Sequence, residues 1–239
     1  FECILVEPDT AAATTTTGVP WVWRTEFCDA FAQADLALLE EGWHLAYICI
    51  SDRYGCTSAV RHMDAFHRHV TRHFGLSTRP ALFGFSRGGL YAVQFAAAHP
   101  DKVSCLYLDA PVLDICSWPG GKGSGIGSPK EWQECLAIWG LEDSPESLAG
   151  FCENPLDRAK TLAAAKIPVL LVAGDADDTV PWQENGEKLK TAMDVLDGNI
   201  TVILKPGVGH HPHSLTDPAP ITAFVKNCVP VPSGMPSSR

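Results

Sequence analysis

Short apolar runs separated by longer stretches of helical period constrain this chain more than any other feature. Cys3 to Glu7, Leu45 to Ile50, Ala81 to Phe85, Val103 to Asp109, Val169 to Ala173 and Ile200 to Leu204 show little polar alternation. Strands of that kind are buried on both faces, as in a mostly parallel sheet. Between them, Glu26 to Glu41, Ala59 to Phe74, Arg87 to Ala98, Gln183 to Leu196 and Ile221 to Asn227 carry apolar residues at helical spacing. The pattern predicts an α/β fold, a mostly parallel sheet flanked by helices on both faces. Residues 111–165 break the rhythm, being far longer than the usual connection of about 2 to 6 residues plus a helix. They read as a cap or lid inserted after the strand that ends near Asp109, with a glycine-rich loop at 120–127 and a short helix over Pro129 to Trp139. Residues 1–228 then form one domain, and 229–239, rich in Pro and Ser, a disordered tail.

Composition removes several classes of function. With 18 Lys plus Arg against 28 Asp plus Glu, the formal charge is −10, and no basic run could track a phosphate backbone. Nucleic acid is therefore excluded as a partner. No apolar stretch reaches the roughly 20 residues of a membrane-spanning helix, and no signal-like leader opens the sequence. The expectation is a soluble protein without a membrane partner; the sequence leaves its oligomeric state open. The nine cysteines form no CxxC pair and no repeated spacing that suggests a metal or redox site. Cys49 and Cys105 lie in apolar runs and read as buried thiols. Cys116, Cys135 and Cys152 allow a disulfide in an oxidising compartment.

The chemistry concentrates in three segments. GFSRGG, residues 84–89, follows one predicted strand and opens a helix. A serine at so sharp a turn projects its hydroxyl above the sheet, and flanking glycines leave room for the turn. Ser86 is therefore the candidate nucleophile, and the N–H of Arg87 the first oxyanion donor. A serine hydroxyl needs a base and an orienting acid, in the chain order Ser, Asp, His. GDADDTVP, residues 174–181, and PGVGHHPH, residues 206–213, each follow a predicted strand, so both can reach the same edge of the sheet.

Taken together, GFSRGG, GDADDTVP and PGVGH resemble the α/β-hydrolase superfamily over nearly the whole chain. The resemblance implies Asp177 as the acid and His210 as the base, with Asp175 and Asp178 as rivals and Asp109 as a further alternative. It also implies a second oxyanion donor in the loop after a neighbouring strand. That loop is expected at residues 8–24, where TTTTGVPWVWR replaces an HGGG-like sequence and Trp21 is the candidate donor; packing is the alternative role of Trp21 and Trp23. Arg24, Trp118 and Trp132 are candidate substrate-binding residues, through planar N–H donors and ring faces, with ion pairs or packing as their alternatives. Trp139 lies in the same insertion. His211 and His213 are not expected to hold a metal, since no cysteine or carboxylate adjoins them and Pro212 restricts the geometry. His62, His67, His69 and His73 read as a solvated basic face, because HVTRH lacks the glutamate of HExxH. The glycine-rich loop lacks the pattern of a phosphate-binding loop, and no cofactor is called for.

The segments WPGGKG, SPKEW, NPLD and KPGVGHHPHSL resemble bacterial α/β hydrolases of polysaccharide breakdown. That resemblance implies a carboxylic ester hydrolase working through an acyl-enzyme on a carbohydrate-linked acetyl, methyl or feruloyl ester. It also leans toward a periplasmic or secreted location. The alternatives are a peptidase or amide hydrolase of the prolyl-oligopeptidase-like branch, and a non-catalytic binding member of the fold.

Overall fold

A computed structural model describes residues 1–229, so the expected disordered tail lies, from residue 230 onward, outside the described residues. Seven strands form one sheet: β1 (Cys3–Val6), β2 (Trp21–Arg24), β3 (His44–Ile48), β4 (Ala81–Phe85), β5 (Cys105–Asp109), β6 (Val169–Gly174) and β7 (Ile200–Lys205). Their order is β1-β3-β2-β4-β5-β6-β7, with β1 antiparallel to β3 and every other pair parallel. The predicted α/β-hydrolase architecture is present. One strand was not expected from sequence: β2, four fully buried residues inside what reads as a loop.

Side-chain alternation along the strands builds two cores. On one face Trp21, Trp23, Leu82, Leu106, Leu108, Val169 and Leu171 pack under α2 (Thr57–Phe74), α3 (Gly88–Ala98) and α7 (Gly186–Val195). On the other, Val22, Phe83, Phe85, Tyr107, Leu170 and Val172 meet α1 (Gln33–Glu40) and α8 (Ala219–Cys228). The predicted helix over Glu26 to Glu41 forms only from Gln33, because residues 25–32 make an irregular loop. His67, expected on a solvated face, is instead buried against Trp23, with Nε2 2.9 Å from the Thr78 carbonyl oxygen. His69 and His73 remain exposed.

The insertion holds α4 (Pro129–Trp139), α5 (Pro145–Ala149) and α6 (Ala159–Ala164). Helix α4 has Pro129 in its first turn and ends at Gly140, φ +66°, which suits a left-handed helix stop. Trp132, Cys135, Leu136 and Leu162 join the same core as α2 and α3, so the insertion is welded to the domain. Asn185 ties it further. Its side-chain oxygen accepts the Leu113 N–H at 2.9 Å, while its amide donates to Ser117 Oγ at 3.0 Å.

All nine cysteines are free, so no disulfide links Cys116, Cys135 or Cys152. Cys49 is exposed, against expectation, because it lies just past β3; Cys105 is buried. Among the described residues no helix is long and apolar enough to cross a membrane.

Gly174, the last residue of β6, shows how tightly the sheet's carboxyl edge is closed. An added Cβ would lie 2.6 Å from the Gly209 carbonyl oxygen and closer still to that of Val208. Gly174→Ala is therefore expected to cost about 1–3 kcal/mol, read from a urea denaturation midpoint. An unchanged midpoint would show that the 206–210 turn is free to shift.

Candidate active site

Ser86 and Arg87 make up the entire turn between β4 and α3. Ser86 has φ +48°, a region that costs a non-glycine residue on the order of 1 kcal/mol unless its surroundings enforce it. Three backbone hydrogen bonds enforce it here. The Ser86 N–H donates to the Asp109 carbonyl at 2.9 Å, and the Ser86 carbonyl accepts from Gly89 at 3.0 Å and Val112 at 2.8 Å. The neighbouring glycines sit in tight space. A Cβ on Gly84 would lie 3.0 Å from both Ala92 Cβ and the Gly88 carbonyl oxygen, and one on Gly88 would lie 3.0 Å from Thr25 Oγ1.

The turn aims the hydroxyl at an imidazole. Ser86 Oγ is 3.0 Å from His210 Nε2, and His210 Nδ1 is 2.7 Å from Asp177 Oδ2. Asp177 Oδ1 accepts the N–H groups of Thr179 and Val180 at 2.9 and 2.8 Å, so the buried carboxylate is fixed on both oxygens. With Nδ1–H donating to Asp177, Nε2 is left to accept the serine proton. The three residues come from the ends of β4, β6 and β7, three parallel strands whose carboxyl edges coincide.

The rival acids have other partners. Asp175 is exposed and accepts the Gly207 N–H at 2.6 Å, which shapes the turn that presents His210. Asp178 is exposed, and its carbonyl accepts the Ile126 N–H at 3.0 Å, docking the glycine-rich loop. Asp109 is buried and serves a different histidine. It accepts from His213 Nδ1 at 2.8 Å, Tyr107 Oη at 2.6 Å and Ser214 N–H at 2.8 Å. Burial and the adjacent Asp109 charge push the Tyr107 hydroxyl well above its ordinary pKa, so it remains a donor.

A cavity of about 170 Å³ opens over Ser86, lined by Phe27, Phe31, Phe85, His210, His211 and His213, with Ala30 at its side. Arg87 N–H has no acceptor among the described residues, as an oxyanion donor requires. The N–H groups of Glu26 and Phe27 are equally free, and of these two residues Phe27 lines the cavity.

Several expected site residues lie elsewhere. Trp21 is the first residue of β2, laddered to His44 and fully buried, with its indole N–H donated to the Ser77 carbonyl at 2.7 Å. It cannot serve an oxyanion, and the loop that follows β2 takes that position. Arg24 is 1% exposed and reaches no substrate. Its guanidinium donates to Asp35 Oδ2 at 3.0 Å and to the carbonyls of Phe27 and Ala30 at 2.6 and 2.8 Å, and it stacks on Phe85 at 3.8 Å. Trp118 and Trp132 pack with the insertion, outside the cavity lining. The Arg87 side chain pairs with Asp52 at 2.9 Å and with the buried Glu26 at 3.4 Å. Burial raises the Glu26 carboxyl, an effect the Arg87 charge opposes.

This fold and this site define a serine-type hydrolase of the α/β-hydrolase class. The sequence profile of the prolyl oligopeptidase family matches residues 53–230, and the chain belongs to that family. The curated proteins include no significant sequence match. Among solved structures, a puromycin-hydrolyzing peptidase of Mycobacterium tuberculosis superposes with a TM-score of 0.73 at 15% identity, over 96% of this chain and 37% of that one. Dipeptidyl peptidase 4 of Porphyromonas gingivalis gives 0.69 at 15% identity, over 95% and 33%. A puromycin hydrolase gives 0.71 at 17% identity, over 97% and 38%. The chain thus spans about a third of the length of these proteins.

The family match and these neighbours overturn the carbohydrate-ester expectation. Three of its four motifs fall in the insertion, outside the Ser86 cavity: Asn154 of NPLD, for example, accepts the Ile115 N–H at 2.9 Å, and the fourth holds His210, which the Ser86 site itself accounts for.

Two substitutions follow from this geometry. Asp177→Asn should slow labelling of Ser86 by a fluorophosphonate roughly 10⁴-fold, by removing the acid that orients His210, while Asp178→Asn stays near wild type. Equal losses in the two would remove the assignment of the acid. Arg24→Met should cost about 3–5 kcal/mol in urea, because it leaves Asp35 buried without its partner.

Proposed function

We propose that this chain hydrolyses amide bonds of peptide-like substrates through an acyl-enzyme on Ser86. The observation that carries the proposal is the Ser86–His210–Asp177 hydrogen-bonded chain in a member of the prolyl oligopeptidase family. The solved structures it resembles include enzymes described as peptidases and a puromycin hydrolase, and this supports an amide rather than an ester as the bond cleaved.

In the proposed sequence, Ser86 Oγ attacks the amide carbonyl carbon while His210 Nε2 takes the hydroxyl proton. The carbonyl oxygen becomes an oxyanion held by the N–H groups of Arg87 and Phe27. As the C–N bond breaks, His210 gives the proton to the leaving amine. Water then attacks the acyl-enzyme, losing its proton to His210; as the bond between Ser86 Oγ and the acyl carbon breaks, His210 returns that proton to Oγ and the carboxylic acid leaves.

At about 170 Å³ the cavity is smaller than the roughly 300–1,000 Å³ of sites that enclose a whole ligand. It suits one apolar side chain beside the scissile bond, and the rings of Phe27, Phe31 and Phe85 provide walls for an apolar or aromatic group.

A panel of peptidyl anilides and matched activated esters tests this reading. Wild type is expected to cleave anilides with an apolar residue at the acyl position, and Ser86→Ala to lower turnover by about 10⁶-fold. Cleavage of the esters with no release from any anilide would sink the amide reading and leave only the serine hydrolase class.

A further inference from the structure

The segment His210-His211-Pro212-His213 gathers three imidazoles that the proposed mechanism uses only in part. One ring nitrogen from each lies within 4.8 Å of one from each of the others. The rings pack edge to face, with centroids 4.8–4.9 Å apart. All three line the cavity over Ser86.

Their outer nitrogens are already anchored. His210 Nδ1 is held by Asp177 at 2.7 Å and His213 Nδ1 by Asp109 at 2.8 Å. That leaves Nε2 of both rings toward a ligand: His213 Nε2 has no hydrogen-bond partner among the described residues, and His210 Nε2 would exchange its 3.0 Å hydrogen bond with Ser86 Oγ for the ligand. A histidine that binds a metal through one ring nitrogen commonly donates the other to a carboxylate, which fixes the ring and raises its basicity. Two such carboxylate-anchored imidazoles face one cavity here. The third, His211, is exposed and stacks on Phe31 at 5.5 Å, so it can turn without unpacking a core. Sequence alone speaks against a metal because no carboxylate adjoins the histidines in the motif; it misses this arrangement because Asp109 and Asp177 are distant from them in the chain.

We infer that His210, His211 and His213 form a binding site for a borderline transition-metal cation, Zn²⁺ in particular, and that occupancy blocks the enzyme. Imidazole nitrogen suits zinc, copper and nickel and not the oxygen-seeking Mg²⁺ or Ca²⁺. On a tetrahedral Zn²⁺, with Zn–N about 2.0–2.1 Å, three nitrogens stand roughly 3.3 Å apart. The resting separations are up to 4.8 Å, and rotation of the exposed His211 can shorten those that involve its ring. The ion takes the Nε2 lone pair of His210, so that nitrogen can no longer accept the Ser86 proton. Metal serves no step of the proposed hydrolysis; it competes with the base. The binding site stands on the three rings, and only its inhibitory effect rests on the Ser86 reading.

The test uses zinc chloride on the full chain, by calorimetric titration and by fluorophosphonate labelling. Wild type is expected to bind Zn²⁺, and His211→Ala to bind it at least about tenfold more weakly. At ten times the dissociation constant, labelling of wild type should slow about elevenfold by mass action and recover with chelator, while the same Mg²⁺ does nothing. Titration tests the site first: no saturable binding, or equal affinity in wild type and His211→Ala, would overturn it. Bound zinc that leaves the labelling rate unchanged would equally overturn it, by placing the ion away from His210. Failure of the metal-free protein to label at all would instead bring down the nucleophile of the proposed function, and titration would still test the metal site.

Discussion

The Ser86 backbone, held in a left-handed conformation between β4 and α3, is the constraint on which the site depends. A serine prefers not to adopt φ +48°, and nothing in its own chemistry keeps it there. The holding comes from the next strand. Asp109 at the end of β5 accepts the Ser86 N–H, and Val112, just beyond it, donates to the Ser86 carbonyl. Gly84 lets α3 lie close on β4, and Gly88 lets the loop after β2 lie close on the start of α3, which fixes the other side. The hydroxyl is thus aimed by sheet pairing and packing, and its geometry is as rigid as the buried sheet beneath it.

A second device holds the wall opposite His210. The loop after β2 contains two non-glycine residues at positive φ, Phe27 at +52° and Phe31 at +51°. Arg24, buried beneath them, donates to the carbonyls of Phe27 and Ala30 while Asp35 balances its charge. Burial raises the Asp35 carboxyl, against the pull of Arg24, so the ion pair itself adds little net stability. Its effect is to specify the loop. A buried guanidinium that organises carbonyls stiffens the segment carrying the free Phe27 N–H, and the same ring of Phe27 borders the cavity.

How much of this could be read from the residues divides along a physical line. Ser86, Asp177 and His210 were legible because each follows a strand of strong apolar signal, and turn chemistry marks the place. The helix Pro129 to Trp139 was legible from a proline at its start and a glycine after its end. Strand β2 was not. Four residues flanked by Pro20 and a threonine-rich loop give too short a period to count, and the error carried Trp21 into a role that belongs to the loop beyond Arg24. The signal present was the aromatic and β-branched run Trp21-Val22-Trp23, which is ordinary strand composition. Arg24, Trp118 and Trp132 failed differently. Composition shows that a side chain can bind a substrate, but only packing decides whether its polar atoms are already spent.

The competition among the acids has the same resolution. Four aspartates stood as candidates, and each is accounted for by a different donor: Asp175 by the Gly207 amide, Asp178 by the Thr179 hydroxyl, Asp177 by His210 and Asp109 by His213. Asp109 and Asp177 thus build two acid–imidazole pairs a few ångströms apart, one at the end of β5 and one after β6. Only the second reaches Ser86, since His210 Nε2 is already bonded to Oγ and no comparable bond joins His213 to it among the described residues. The first is a scaffold. Its carboxylate collects Tyr107, His213 and the Ser214 amide, and its backbone carbonyl holds Ser86 itself, so the residue that sequence ranked last as an acid supports the nucleophile from beneath.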